Sequence, residues 1–372
     1  MSIKCKAAIT NGKGEFYIGE IQVGEPESDE IRIKIMSAGL CHTDFDSLNW
    51  GKKMVIGHEG SGIIEKIGSA VTGFKIGDQV ILNWAMPCEH CFQCMEGNQH
   101  ICENNSPVTG GMYGPNGGHA HSLGTIIDGE AVERSFNLGT IAEYTLVKAS
   151  AAVINTSAKM SFPAASIISC GIMTGYGSVV NAAKVKPGTS VVVLGTGGVG
   201  LSVIQAAKIS GAVKIIAVDI NPKRLEMALA FGATDTILAE KTDKGLLNAA
   251  SQVKAMTNDR GADYAFECTA IPDLGAAPLA MVRNAGTAVQ VSGIEQEISF
   301  DMNLFEWDKV YINPLYGKCR PKVDLPAIVA LYDKGLLQLE EMVTNTYPIN
   351  ELQQAFDDML AGKNAKGVIV FN

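Results

Sequence analysis

The sequence lacks a basic tract, an apolar leader and an even set of cysteines, and each absence closes a class of function. Lys and Arg total 30 against 39 Asp and Glu, a net charge of −9. Phosphate-driven nucleic-acid binding is therefore excluded, and the acidic balance serves solubility. The N-terminal segment MSIKCKAAIT has no apolar h-region, so a cytoplasmic location is expected. Nine cysteines are an odd count, which argues against a disulfide framework. Charge is scarce enough that residues 160–183 and 187–207 carry none, and each run could span a bilayer by length. Pro163 and three glycines interrupt the first run, and five glycines the second. Both read as buried core, and no membrane partner is expected. Internal repeats and low-complexity tracts are also missing.

What is present is a large apolar supply. The chain has 372 residues, 47% of them hydrophobic, enough for roughly two domains. Residues 1–100 alternate short apolar strands (IRIKIMSAGL, SGIIEKIG, GDQVIL) with Gly/Asp turns, which predicts a β-rich, mostly antiparallel domain. The Gly-rich stretch 103–140 reads as a long surface excursion suited to an oligomer contact. From about 172 the pattern becomes strand–helix alternation. Strands are predicted at Ser190–Leu194, Lys214–Asp219, Asp263–Glu267 and Thr287–Ser292, with helices over Val199–Ser210 and Pro222–Phe231. Such alternation predicts an α/β, doubly wound parallel sheet of Rossmann type. A last helix is expected to begin at Asn350 as N-cap, followed by the strand-like GVIVFN.

Four cysteines crowd into PCEHCFQCMEGNQHIC: Cys88, Cys91, Cys94 and Cys102, spaced C-x2-C-x2-C-x7-C. Short intervals let sulfurs converge on a tetrahedral ion, and only a cation relieves the clustered thiolates. An iron–sulfur cluster uses the same donors, but the long last interval and the missing following proline favour zinc. A site with four protein ligands has no open position and is structural.

Gly195-Thr196-Gly197-Gly198-Val199-Gly200 fits G-x-G-x-x-G, and here it follows a buried strand and opens a helix. The glycines allow a tight turn and close approach to a pyrophosphate, which meets free N–H groups at the helix start. Asp219 ends the next strand, where an acid accepts hydrogen bonds from ribose hydroxyls and repels a 2′-phosphate, so NAD is favoured. Arg224 could flank the ribose.

Cys41 in GLCHTDFD, His58 in IGHEG and Cys170 in IISCGIMTGYG supply a Cys2His donor set, the pattern of a catalytic zinc with a vacant position. Spacing alone does not join them, and a lone Cys or His is ordinarily core. Taken together, CHTD at 41–44, GHEG at 57–60, the cysteine lobe at 88–102, SCGIMTGYG at 169–177, GTGGVG at 195–200 and VDINPKR at 218–224 resemble the zinc-dependent medium-chain alcohol dehydrogenases. The likeness covers essentially the whole chain, with the aryl-alcohol and class III-like branch the nearest.

That resemblance implies a GroES-like catalytic domain over 1–171 carrying the structural zinc lobe 88–102, a Rossmann domain over 172–314, and a return to the catalytic domain over 315–372. It implies two Zn2+ per subunit, with Cys41, His58 and Cys170 on the catalytic ion and Glu59 able to approach it. Asp44 would hold the His58 ring, Thr43 would bond the substrate oxygen, and Trp84 would line the substrate pocket. His42 and Lys366 would lie near the pyrophosphate and Thr174 beside the nicotinamide. The expected activity is reversible, NAD-dependent oxidation of a primary, aromatic or allylic alcohol by a homodimer or homotetramer. A dehydrogenase of S-hydroxymethyl thiol adducts, with Lys52, Lys53 and Arg134 as candidate pocket cations, is the near alternative. A non-catalytic NAD-binding regulator is the distant one.

The sequence departs from the family pattern twice. Asp46 stands where many relatives carry a relay histidine, and a carboxylate with an ordinary pKa near 4 is poorly matched to neutral pH. The segment between Asp46 and His58 is short and lacks the usual proline.

Overall fold

The structure is a computed structural model and describes residues 1–108, 124–294, 296–305 and 307–371. The chain folds into two compact units, one of Met1–Cys170 with Cys319–Asn372, the other of Gly171–Lys318.

The first unit is built on two sheets. Its strands are β1 (Ile3–Thr10), β2 (Phe16–Val23), β3 (Glu30–Gly39), β4 (Met54–Val55), β5 (Ser61–Ile67), β6 (Gln79–Leu82), β7 (Thr125–Ile127), β8 (Glu130–Ala131), β9 (Glu133–Arg134), β10 (Tyr144–Lys148) and β11 (Ala152–Ile154). The second unit contributes β12 (Ser190–Leu194), β13 (Lys214–Asp219), β14 (Asp235–Leu238), β15 (Ala262–Glu267), β16 (Val282–Gln290) and β17 (Val310–Ile312). The chain then returns to the first unit as β18 (Val343–Pro348) and β19 (Lys366–Val370).

One six-stranded sheet runs β8-β7-β2-β1-β4-β9, and a seven-stranded sheet runs β11-β6-β5-β3-β19-β18 with β10 on β3. Most pairings are antiparallel, as the alternating N-terminal pattern predicts. Strand β19 pairs antiparallel with the end of β3, Val368 opposite Gly39, so the last strand of the chain lies beside Leu40.

In the second unit β14-β13-β12-β15-β16-β17 form a wholly parallel six-stranded sheet. This order is that of a doubly wound dinucleotide-binding fold, with β12 at the switch point. Central strands of such sheets are covered on both faces, and SVVVL is accordingly apolar almost throughout. Val192, Leu194, Ile216, Val218 and Ala265 pack in one buried cluster with Ala249, Val253 and Met281 from the covering helices. Asn221 accepts from Lys223 N–H at 3.0 Å and Pro222 follows at the first turn, which starts the helix Pro222–Phe231; Gly232, at φ 119°, ends it.

Two details differ from expectation, and a third agrees with it. Residues 124–140 hold the short strands β7, β8 and β9, and Thr125, Ile127, Leu138 and Thr140 are buried, so this part is no surface excursion. Residues 109–123 of that stretch lie outside the described residues. Asn350 is not an N-cap: a 3-10 turn over Ile349–Glu351 comes first, and Glu351 precedes the helix Leu352–Leu360. The uncharged run 160–183 forms the helical stretch Phe162–Ala183, long and apolar enough to cross a membrane, but 78% of its most apolar window is buried, as core requires.

Candidate functional site

The segment Cys41-His42-Thr43-Asp44 leaves β3 and turns at once into a short helix, His42–Asp46. Asp44 is its third residue and reaches back, its Oδ2 accepting from the Cys41 N–H at 3.0 Å. Its other oxygen, Oδ1, lies 2.7 Å from His58 Nδ1. In the neutral ring, a carboxylate there places the proton on Nδ1 and leaves the Nε2 lone pair free. His58 Nε2 is buried and has no hydrogen-bond partner among the described residues. One ligand atom from each of Cys41, His58, Glu59 and Cys170 lies within 4.8 Å of the others. Three separate segments thus bring two sulfurs, an imidazole and a carboxylate together.

The ionisable groups of this cluster act on one another at close range. The hydrogen bond with Cys170 holds the Cys41 thiol well below its ordinary range, against burial and with help from His58. The same bond, with burial, pushes Cys170 up. Burial opposes charge on His58, but the Asp44 carboxylate outweighs it and raises the ring. Burial pushes the Glu59 carboxyl up to about 7, against the pull of Lys366. Lys366 is nearly fully buried, its Nζ donating to Glu59 at 2.8 Å and to the Leu40 carbonyl at 2.8 Å. Its charge is therefore paired with Glu59 beside the cysteine–histidine cluster. Gly39 makes room: a Cβ there would come within 2.1 Å of Glu59 Oε2.

A tetrahedral zinc with thiolate and imidazole ligands fits this donor set, and the aimed, unpartnered His58 Nε2 is the observation that says so. Thr43 is half-buried, its Oγ1 3.7 Å from Cys41 Sγ, while His42 and Asp46 are exposed. Trp84 is buried. Two site residues, Phe136 and Trp50, have no counterpart in the sequence reading. Phe136 lies over His58 with ring centroids 4.7 Å apart, and it also meets Trp84 at 5.5 Å and Trp50 at 5.8 Å. Its φ of 51° is left-handed, a rare conformation for an aromatic residue and one that clusters at binding sites. The one local hint is the neighbouring Asn137, a residue that tolerates this region.

The second cysteine set also converges. Cys88, Cys91, Cys94 and Cys102 place their sulfurs within 4.8 Å of one another. Backbone N–H groups point at them: Cys88 N to Cys102 Sγ at 3.3 Å, Cys91 N to Cys88 Sγ at 3.3 Å, and Cys94 N to Cys91 Sγ at 3.5 Å. Such donors stabilise thiolates, and the set fits a closed four-sulfur zinc site.

In the parallel sheet the glycine loop runs from β12 into the helix Gly198–Ile209, which Gly198 and Val199 open. Gly195 takes φ 82°, a conformation side chains resist. A Cβ on Gly200 would sit 1.9 Å from the Gly195 carbonyl oxygen, whereas one on Gly197 meets nothing within 4 Å among the described residues. Gly200 therefore serves close packing, and Gly197 leaves open space at the start of the helix. Asp219 ends β13, where its Oδ2 accepts from both the N–H and the hydroxyl of Thr196, at 2.8 and 2.9 Å. Its Oδ1 accepts from Asn221 N–H at 2.9 Å. Arg224 and Thr174 are half-buried in the same unit.

An antiparallel β unit with a buried thiolate–imidazole cluster, and a Rossmann-type unit with its glycine loop, define a metal-dependent dehydrogenase. Family models agree along the chain: residues 27–157 match the alcohol dehydrogenase GroES-like domain and residues 198–314 the zinc-binding dehydrogenase domain. Alcohol dehydrogenase class-3 of Drosophila melanogaster is 34% identical over 99% of this chain and 98% of its own length. Alcohol dehydrogenase 1 of Pisum sativum is 34% identical over 99% and 97%. The crystal structure of benzyl alcohol dehydrogenase from Acinetobacter calcoaceticus superposes with TM-score 0.88 at 32% identity, covering 100% of both chains. The chain belongs to the zinc-dependent medium-chain alcohol dehydrogenase family. It is an enzyme, an oxidoreductase, and the non-catalytic reading is set aside.

Proposed function

We propose that the chain oxidises primary alcohols, with aromatic or allylic ones preferred, to aldehydes in a reversible NAD-dependent reaction. Cys41, His58 and Cys170 hold the catalytic zinc, and Cys88, Cys91, Cys94 and Cys102 hold a structural one. The observation carrying this reading is the buried His58 ring. One nitrogen is fixed by Asp44, the other is free toward two cysteines, and its face is covered by Phe136. When bound, zinc there would supply a Lewis acid for the alcohol oxygen and NAD would supply the hydride acceptor.

The chain's own residues do the rest. Thr43 takes the hydrogen bond of the substrate hydroxyl and relays its proton through the ribose hydroxyl toward exposed Asp46 and water. Asp44 keeps the His58 tautomer fixed, and Lys366 balances the charge of Glu59. Phe136, Trp84 and Trp50 supply flat apolar surface, which suits an aryl group. Asp219 selects NAD by repelling a 2′-phosphate. Of the candidate cations for the thiol-adduct alternative, Lys52 pairs with Glu133 at 3.2 Å and Arg134 is buried, donating to Thr125 at 3.2 Å, which leaves exposed Lys53 to serve it. A homodimer or homotetramer is expected, and light scattering reads it.

The test is NADH formation by metal-analysed protein from benzyl alcohol, ethanol and a formaldehyde–glutathione mixture. Benzyl alcohol should give the highest kcat/KM, with two zinc ions per chain. Faster turnover of the glutathione adduct would replace the substrate assignment. A chain with zinc only in the four-cysteine lobe would overturn the mechanism.

A further inference from the structure

We infer that Thr196 is a positioning residue for the coenzyme: its hydroxyl pins Asp219 in the one orientation that admits an unphosphorylated ribose. The inference rests on the proposal that Asp219 meets the adenosine ribose.

Thr196 is the first of three variable positions in the glycine loop, and nothing in G-x-G-x-x-G asks for a hydroxyl there. It is nevertheless almost fully buried and commits that hydroxyl to Asp219 Oδ2 at 2.9 Å, beside its own N–H at 2.8 Å. With Asn221 N–H on Oδ1 at 2.9 Å, the carboxylate accepts three protein hydrogen bonds. A carboxylate has about four lone-pair sites, so the open one is on Oδ1. Asp219 is thereby limited to one strong ribose contact, through Oδ1. Turning it away from a 2′-phosphate would strand a buried hydroxyl and a buried N–H, which is costly. Discrimination against NADP then comes from a fixed charge rather than from a mobile one that can retreat.

The experiment titrates NADH and NADPH by nicotinamide fluorescence into wild-type holoenzyme and the Thr196→Val, Thr196→Ala and Thr196→Ser variants, with melting curves alongside. Valine and alanine keep the N–H and remove the hydroxyl. In either, the NADH dissociation constant should rise roughly tenfold and the NADH-over-NADPH preference should fall, as expected for a lost bond to a charged group. Serine should restore both to within about twofold. Unchanged affinity and preference in the valine and alanine variants overturn the inference. So does a lower melting temperature with an unchanged preference, which would mark a merely structural hydroxyl. Wild-type protein that fails to bind NADH, or binds NADPH better, overturns the NAD reading itself, and that arm separates the two failures.

Discussion

Replacing Asp44 by asparagine changes one atom and should empty the catalytic metal site. Asp44 is fully buried and serves two donors at once, the His58 ring at 2.7 Å and the Cys41 N–H at 3.0 Å. Asparagine offers one oxygen and one NH2, so it can satisfy only one of them. If the oxygen stays on His58, the NH2 faces the Cys41 N–H and that donor is orphaned. If the amide flips, the ring must accept at Nδ1, its proton moves to Nε2, and the lone pair needed for ligation is gone. A hydrogen bond to a charged group contributes about 1.5–3 kcal/mol, and burial keeps water from replacing it. At about 1.4 kcal/mol per decade, zinc should bind roughly 10- to 100-fold more weakly, in line with losses seen when outer partners of metal-bound histidines are removed. Dialysis against graded chelator followed by elemental analysis reads the result. Asp44→Asn should fall from two zinc ions per chain to one at chelator concentrations that leave the wild type loaded. The cysteine lobe uses other residues and should keep its ion, which also reports that the chain is folded. Equal zinc retention at every chelator concentration would refute the claim that Asp44 orients His58.

Two further substitutions separate packing from binding in the glycine loop. Gly200→Ala places a Cβ 1.9 Å from the Gly195 carbonyl oxygen, so a backbone must shift; a stability loss of about 1–3 kcal/mol from overpacking is expected in denaturant titrations, together with weaker NADH binding. Gly197→Ala meets no described protein atom within 4 Å, so stability should stay unchanged while NADH binding weakens; unchanged binding would mean that no pyrophosphate lies there. Asp219→Gly removes the repelling charge, and the ratio of kcat/KM for NADP over NAD should rise, roughly tenfold for a lost charged contact. A constant ratio would remove Asp219 from coenzyme selection.

These sites were unequally legible in the sequence, for a physical reason. The strands at Ser190–Leu194 and Lys214–Asp219 and the helix Pro222–Phe231 lie where apolar runs and the Asn-Pro start put them, because those signals act between near neighbours. The cysteine lobe is local too, and its four sulfurs converge within one short segment. Strands of two or three residues, such as β7 to β9, are too short to show alternation, so Gly-rich composition dominated there. The Cys41–His58–Cys170 cluster depends on pairings made far along the chain, and only whole-chain resemblance pointed to it. Lys366 is the clearest case. Its segment reads simply as the start of a final strand, and nothing nearby says what its ammonium will meet. That is decided when β19 pairs with β3, which sets the Gly367 carbonyl on Leu40 N–H at 3.0 Å and delivers Nζ to the Glu59 carboxylate over Gly39. A one-residue slip in that register would turn the lysine to the opposite face and leave the buried carboxylate without its cation. The charge balance of the metal site is therefore a property of strand register, which no single segment of the sequence carries alone.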